Sequence, residues 1–144
     1  MKNLLKLTSI FLVFISVVSC SKDDDKVVEP SIVGKWEFAK QVSYDNSNKE
    51  VITGYIHRCS SQKDFIQFEF NGVYNSSIGS SNCISETETR TYVYENNLVR
   101  LYNGNDLISY RIQVLSLSAN ELKIKYVNSG AQKSDVTTYI LIRK

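Results

Sequence analysis

The sequence contains one histidine and one proline among its 144 residues. The single histidine, His57, leaves few arrangements for acid–base or nucleophilic catalysis, and no serine stands in the Gly-x-Ser-x-Gly context of a nucleophile elbow. Glu86 and Glu88 form a carboxylate pair on one strand face, which is more often a solvated surface than a hydrolytic site. We therefore expect no enzymatic activity and no cofactor, and a hydrolase is the most distant of the alternatives.

An excess of charge of one sign is also missing. Lys and Arg together number 17, against 15 for Asp and Glu. Lys2 and Lys6 belong to the N-terminal leader, and the rest of the chain is therefore neutral. Nucleic-acid binding needs a basic surface that releases counterions from phosphates. The composition thus excludes nucleic acid as an expected partner.

Long apolar runs are absent apart from a short one near the start. Leu7 to Val18 is mostly apolar, but it is shorter than the roughly 20 residues that a helix needs to cross a bilayer. A basic start followed by such a run is typical of a secretion signal, and we predict a signal peptide at residues 1–19. The alternative is an uncleaved membrane anchor.

The four residues Val17-Val18-Ser19-Cys20 resemble the lipobox of bacterial lipoproteins. The resemblance implies that Cys20 becomes the first mature residue and is acylated, and two or three acyl chains hold a protein firmly on a membrane. Residues 20–31 then form a lipidated, flexible tether. Ser21 to Asp25 resembles the acidic export signal of some Gram-negative lipoproteins. We therefore expect a membrane-anchored protein at the cell outer membrane, facing outward.

Beyond the tether the chain alternates between apolar and polar residues, which is typical of β-strands. The pattern places Trp36, Phe38, Val42 and Tyr44 on one face of the first strand. Lys40 interrupts that face, which indicates a bulge or a barrel mouth.

Tight polar turns separate the later strands. Ile66, Phe68 and Phe70 are expected to share one face of a strand, and Asn71-Gly72 after them is the strongest hairpin signal, because both residues tolerate the positive φ of a type I′ turn. Eight or nine short strands are predicted and no helix.

These strands predict an all-β domain over residues 32–144, most simply an antiparallel up-and-down β-barrel of about eight strands. The alternative is an immunoglobulin-like sandwich, which would place a tryptophan in the middle of the chain near an inter-sheet disulfide. The only tryptophan, Trp36, is in the first strand, and this favours the barrel.

Gly34-Lys35-Trp36 looks like the Gly-x-Trp signature of lipocalins. The order of lipobox, tether, Gly-x-Trp strand, cysteine pair and terminal strand resembles the lipocalin-like domains of bacterial lipoproteins. The resemblance implies that an arginine near the end of the barrel packs over the tryptophan, and Arg143 is suitably placed. Such a contact is worth about 0.5–2 kcal/mol. Gly34, Trp36 and Arg143 would together close one barrel end.

Three cysteines are present. With Cys20 assigned to lipid, Cys59 and Cys83 remain, and a disulfide is the default in an exported protein. It would close a loop around the Asn-Gly hairpin. The alternative is a metal site formed by His57, Cys59 and Cys83, for which no fourth ligand is evident; we expect no metal.

Aromatic residues are plentiful, with nine tyrosines and six phenylalanines. Trp36 is expected to be a core residue, and other aromatics are expected to point into the barrel. If they line a pocket, the protein binds a small hydrophobic or amphipathic ligand. If they fill the barrel, it serves as a protein-interaction or accessory module of a cell-surface complex. The candidate ligand-lining residues are Phe38, Tyr55, Phe68, Phe70, Tyr92, Tyr110 and Tyr126.

Overall fold

The computed structural model describes residues 30–128 and 137–144, so the predicted signal peptide, Cys20 and most of the tether lie outside the described residues. The described chain is all-β, as predicted. Within these two ranges no helix is long and apolar enough to cross a membrane. The strands are β1 (Gly34–Tyr44), β2 (Glu50–Gly54), β3 (Phe65–Phe68), β4 (Val73–Gly79), β5 (Ser85–Glu95), β6 (Leu98–Asn103), β7 (Asp106–Leu117), β8 (Glu121–Asn128) and β9 (Thr138–Arg143).

The sheet closes on itself through β1. One edge of β1 pairs with β9, and the other edge pairs with β3 along its first half and with β2 along its second half. From β3 to β9 each strand is antiparallel to the next. The ring that omits β2 is therefore a closed eight-stranded antiparallel barrel, which confirms the predicted fold and excludes the sandwich. The strand β2 only extends the far end of β1 as a hairpin.

The two ends of the barrel differ. We call one the closed end: it carries residues 30–33 and the β3–β4, β5–β6 and β7–β8 turns. The other, the open end, carries the segment 55–64 and the β4–β5 and β6–β7 turns.

Side chains pack the barrel from the closed end to its middle. All nine described strands and this core lie within residues 32–143, so a chain beginning at residue 21 keeps all of them. The largest apolar side chains that are fully buried are Trp36, Phe68, Tyr74, Ile66, Leu101, Ile112, Leu122, Ile124 and Leu141.

Trp36 and Arg143 close the base. Trp36 is completely buried, and its indole N–H donates a 2.7 Å hydrogen bond to the carbonyl of Ile32. The Arg143 guanidinium lies over the indole, with Cζ 4.2 Å from the ring centroid. Gly34 has a φ of +139°, and a Cβ there would lie 2.5 Å from Nη1 of Arg143. Glycine is therefore required by both the backbone conformation and the arginine.

A bulge in β1 changes which residues face inward. Phe38 is paired with Leu141 on β9, whereas Lys40 is paired with the adjacent Ile140, so β1 has one extra residue between them. The interruption predicted at Lys40 is thus a bulge. The prediction that Val42 and Tyr44 share the face of Trp36 was wrong, because the extra residue reverses the alternation beyond it, and Tyr44 is 60% exposed.

Phe70 does not belong to a strand. β3 ends at Phe68, and the turn is closed by a 3.1 Å hydrogen bond from the Gly72 N–H to the Glu69 carbonyl. Phe70 and Asn71 therefore occupy the central turn positions, and Gly72 follows them with a φ of +81°. The hairpin is where it was predicted, but it is not the two-residue type I′ turn. Phe70 consequently stands at its tip and is 96% exposed.

Candidate functional site

A cavity of about 460 Å³ occupies the open half of the barrel. We call it the open-end cavity. It lies above the packed core, and side chains from six strands and from the segment 55–64 form its wall. The lining residues are Phe38, Tyr55, Arg58, Tyr74, Ser76, Ile78, Glu88, Tyr110, Tyr126 and Tyr139.

Aromatic rings form a continuous band on this wall. Phe38 stacks on Tyr55 with a centroid separation of 5.0 Å and meets the edge of Tyr139 at 5.1 Å. Tyr139 in turn contacts Tyr126 at 5.9 Å, and Tyr126 contacts Tyr110 at 6.1 Å. Most of these contacts are edge-to-face, which suits the quadrupoles of the rings. The band holds each ring in place by its neighbours.

The segment 55–64 has no strand of its own, yet buried polar contacts fix it. Asp64 is 1% exposed, and its carboxylate accepts hydrogen bonds from the Tyr55 hydroxyl at 2.8 Å and from the Gly79 N–H at 2.7 Å. The Asp64 N–H donates to Nδ1 of His57 at 3.0 Å. That nitrogen is therefore an unprotonated acceptor, and its 3.7 Å approach to the Asp64 carboxylate is not an ion pair.

A disulfide pins the same segment to the β4–β5 turn. Cys59 and Cys83 are bonded, as predicted, with their Cα atoms 5.0 Å apart. Both sulfur atoms are committed to this bond, which removes the two thiolates from the alternative metal site with His57. In the described ranges no group of three or more His, Cys, Asp or Glu side chains is placed to hold a metal ion.

Glu88 is the acidic group of the cavity wall. Its carboxylate accepts a 3.0 Å hydrogen bond from the Tyr110 hydroxyl and forms a 2.6 Å ion pair with Arg90. Glu86 is exposed on the strand, and its Cα is paired with Ile78. The two glutamates therefore do not form a working pair, because Glu88 is already engaged with two other groups.

Four tyrosines of the wall, Tyr55, Tyr74, Tyr110 and Tyr126, are neutral at ordinary pH. Burial raises the pKa of Tyr74 to about 12. The pKa values of Tyr55, Tyr110 and Tyr126 also lie well above the usual range, in each case chiefly because burial disfavours the phenolate. The hydrogen bonds of Tyr55 to Asp64 and of Tyr110 to Glu88 act in the same direction. The cavity is thus walled by uncharged phenols.

The structure separates the seven candidate ligand-lining residues into three groups. Phe38, Tyr55, Tyr110 and Tyr126 line the cavity. Phe68 and Tyr92 pack against each other in the core beneath it, with centroids 5.1 Å apart. The prediction for Phe70 was wrong, because the turn places it outside the barrel.

Sequence reasoning missed several lining residues. Tyr74 and Tyr139 occupy inward positions on short strands, and the alternation of their strands would have found them. Arg58 and Glu88 were not recognised as lining residues, because their position depends on the path of an irregular segment and on the strand register.

A larger depression, of about 920 Å³, lies beside the β1–β2 hairpin. Its wall includes Val42, Thr138 and Lys125. Val42 and Thr138 are paired on the face of the sheet away from the barrel interior. The depression is lined mainly by polar side chains, and Tyr44 is the one aromatic ring among its lining residues. We therefore take the open-end cavity as the candidate site.

A small antiparallel barrel with a tryptophan-plugged base and a cavity at the other end is a lipocalin-like barrel. The family model described as "Lipocalin-like domain" matches residues 32–124. The chain belongs to this family. No curated protein matches the sequence.

Three solved structures resemble the chain. An uncharacterized protein from Bacteroides eggerthii DSM 20697 has a TM-score of 0.50 at 11% identity, covering 79% of this chain and 100% of that one. A lipocalin-like protein from Bacteroides uniformis ATCC 8492 has a TM-score of 0.49 at 14% identity, covering 78% of this chain and 97% of that one. A deswapped triple mutant of bovine odorant binding protein has a TM-score of 0.42 at 11% identity, covering 77% of this chain and 72% of that one. At this identity the first likeness shows the fold alone.

Proposed function

We propose that the protein binds a small amphipathic molecule in the open-end cavity. The observation that carries the proposal is the contrast between the two halves of the barrel: one is packed with side chains, and the other leaves about 460 Å³, open to solvent at the mouth, beside an aromatic wall. Ligand sites are commonly concave, largely apolar and of about 300–1,000 Å³, with a few polar groups that orient the ligand. The phenol groups, Arg58 and Glu88 are such groups here.

The alternative, a filled barrel that serves only as an interaction module, is less well supported. A filled barrel would continue its aliphatic packing to the mouth. Instead Tyr110, Tyr126 and Tyr139 line a space that no side chain of residues 30–128 or 137–144 occupies. The aromatic band also needs no ligand to order it, so binding would not have to overcome a large ordering cost.

The proposal includes the location of the protein. We infer that Cys20 is acylated and that the chain is anchored at the outer membrane, facing outward. The lipobox-like residues before Cys20 and the acidic residues after it support this. Metabolic labelling with an alkyne fatty acid should tag the wild type and leave Cys20→Ser untagged. Protease added to intact cells should digest an outward-facing protein, and survival of the protein until the cells are lysed would contradict the orientation.

Binding is tested with residues 21–144, which contain every strand and the whole core. The protein is purified without denaturant, and native mass spectrometry shows whether a small molecule leaves with it. A matched pair of variants then locates the site. Ile78→Trp fills the cavity, whereas Ile142→Trp adds the same bulk at a side chain that is 37% exposed. We expect only the first variant to emerge empty and to lose affinity for added amphiphiles by about tenfold or more.

A protein that is always empty, and that binds none of a panel of short amphiphiles in titration calorimetry, would refute the binding function. It would favour the interaction module instead. Equal loss of binding in both tryptophan variants would show that the ligand does not lie in this cavity.

A further inference from the structure

We propose that the ligand of the open-end cavity is a compact aromatic carboxylate, and that Arg58 binds its carboxylate group. The inference rests on the proposed function and specifies the chemistry of the molecule that is bound. Four features of the cavity carry it: the charge balance of the wall, the way Arg58 is positioned, the depth of the space and the nature of its walls.

The charge balance leaves one group with unused binding capacity. Among the residues that the structure describes, two charged side chains line the cavity, Arg58 and Glu88. Glu88 already accepts from Tyr110 and is paired with Arg90 at 2.6 Å. Among residues 30–128 and 137–144, no carboxylate lies within 4.0 Å of the Arg58 guanidinium. A guanidinium presents five N–H donors in a planar fork that matches a carboxylate. The wall therefore recognises an anion more readily than a cation.

Arg58 is held at the mouth before any ligand arrives. The next residue, Cys59, is 1% exposed and fixed by its disulfide to Cys83. At the other end of the segment, the carbonyl of Asp64 accepts from the N–H of Phe38 at 3.1 Å. The backbone around Arg58 is thus anchored at the mouth, while the exposed Arg58 side chain keeps rotamer freedom that binding would cost.

The cavity is shallow. Tyr74, which is 2% exposed, forms its floor, and Ile78 on the same strand lies near the mouth. Four residue steps separate them along a strand that tilts by about 40° to the barrel axis, which corresponds to a depth of about 10 Å. The packed core below Tyr74 prevents deeper entry. A compact molecule with its charge at the mouth fits this space, whereas a long alkyl chain cannot extend in it.

The walls favour a ring as the body of that molecule. Phe38, Tyr126 and Tyr139 present aromatic faces and edges towards the space, and a further ring can join their edge-to-face arrangement. Burial raises the pKa of Tyr126 and of Tyr74, so these phenols stay uncharged and do not repel a carboxylate.

The test compares an acid with its uncharged analogue on residues 21–144. The probes are 3-phenylpropionate, 3-phenylpropan-1-ol, decanoate and palmitate, and binding is measured by titration calorimetry at low and high salt. We expect 3-phenylpropionate to bind about fivefold more tightly than the alcohol, a modest ratio because Arg58 is partly open to solvent. High salt should weaken the binding of the acid and leave the binding of the alcohol unchanged. Palmitate should bind worst.

Variants assign the preference to one residue. Arg58→Gln should abolish the difference between acid and alcohol without weakening the alcohol, and Arg58→Lys should keep part of it. Arg100→Gln is the control, because Arg100 pairs with Glu95 at 3.2 Å outside the cavity. Circular dichroism verifies that each variant is folded, and the salt dependence of the wild type tests the charge requirement without any variant.

The outcomes separate this inference from the proposed function. If acid and alcohol bind equally to the wild type, or if Arg58→Gln keeps the preference, the role of Arg58 is overturned while binding in the cavity stands. If decanoate or palmitate binds more tightly than 3-phenylpropionate, the compact aromatic body is overturned. If none of the four probes binds and the purified protein is empty, the proposed function fails together with the inference.

Discussion

Arg143 lies 4.2 Å over the Trp36 ring and simultaneously joins three separate pieces of backbone. Its guanidinium donates to the carbonyls of Ser31 at 2.6 Å and Val33 at 2.7 Å, and its Nε donates to that of Ala119 at 2.6 Å. The last strand, the chain entry and the β7–β8 turn are thus tied to the plug of the barrel by one side chain. The closed end depends on the shape of this group as well as on its charge.

Replacing Arg143 by lysine should therefore destabilise the protein although the charge is kept. An ammonium cannot stack on the indole and donate in three fixed directions. We expect the free energy of unfolding to fall by about 1–3 kcal/mol in urea titrations. Arg100→Lys, at an exposed pair with Glu95, should change it by less than about 0.5 kcal/mol. Equal effects of the two substitutions would argue against a special role for Arg143.

Gly34→Ala should destabilise the protein far more than the same substitution at Gly54 on the second strand. The φ of +139° is unfavourable for alanine, and the added Cβ would press on Arg143 Nη1. We expect a loss of about 2 kcal/mol or more. Gly54→Ala is the control, because a Cβ there meets nothing within 4 Å. In an Arg143→Ala background the loss from Gly34→Ala should shrink by the part due to the clash; an undiminished loss would assign the whole effect to the backbone.

Removing the disulfide should loosen the open end and leave the base intact. Cys59 and Cys83 are separated by 24 residues, for which chain-entropy bookkeeping gives about 3.5 kcal/mol. Cys59→Ser/Cys83→Ser should therefore unfold at lower urea concentration. Hydrogen exchange should increase in the segment 55–64 while the amides around Trp36 stay protected. Faster exchange spread evenly over the barrel would contradict this division.

Because burial raises the pKa values of several tyrosines, we expect the protein to lose stability at alkaline pH. A raised folded pKa means that the unfolded chain releases its proton first, so stability is unaffected below about pH 10 and decreases above it. For Tyr74 the decrease ends near the folded pKa of about 12 and amounts to roughly 2–3 kcal/mol. Thermal melts from pH 8 to 12 measure it, and Tyr74→Phe should remove the share of Tyr74 while Tyr55, Tyr110 and Tyr126 still contribute. A pH dependence that is unchanged in Tyr74→Phe would contradict the assignment.

The sequence was sufficient for the barrel because alternation and tight turns repeat along the whole domain. It failed at two places for different physical reasons. A strand alternates with a period of two, so the one extra residue before Lys40 reversed every later position of β1 and moved Val42 to the outer face. Phe70 keeps its place in the alternation, but the strand ends at Phe68 and the turn that follows places Phe70 in solvent.

The site was less accessible to sequence reasoning than the fold. Four of seven aromatic candidates line the cavity, because ring size and strand position are visible in the sequence. The roles of Arg58 and Glu88 are not visible in the sequence, since they depend on which groups form hydrogen bonds or ion pairs with them in the folded protein. Glu88 is engaged only because Arg90 and Tyr110 meet it in space, and Arg58 is positioned by contacts that span the β3–β4 hairpin.

The bonds from Arg143 to Ser31 and Val33 also fix where the chain enters the barrel. The entry lies at the closed end, opposite the mouth. A surface that holds the N-terminal side would therefore be joined to the closed end, and the point of attachment would not lie at the mouth. For a sensor chip or a fluorescent fusion, the N-terminal side is the point of attachment that keeps the entrance unobstructed.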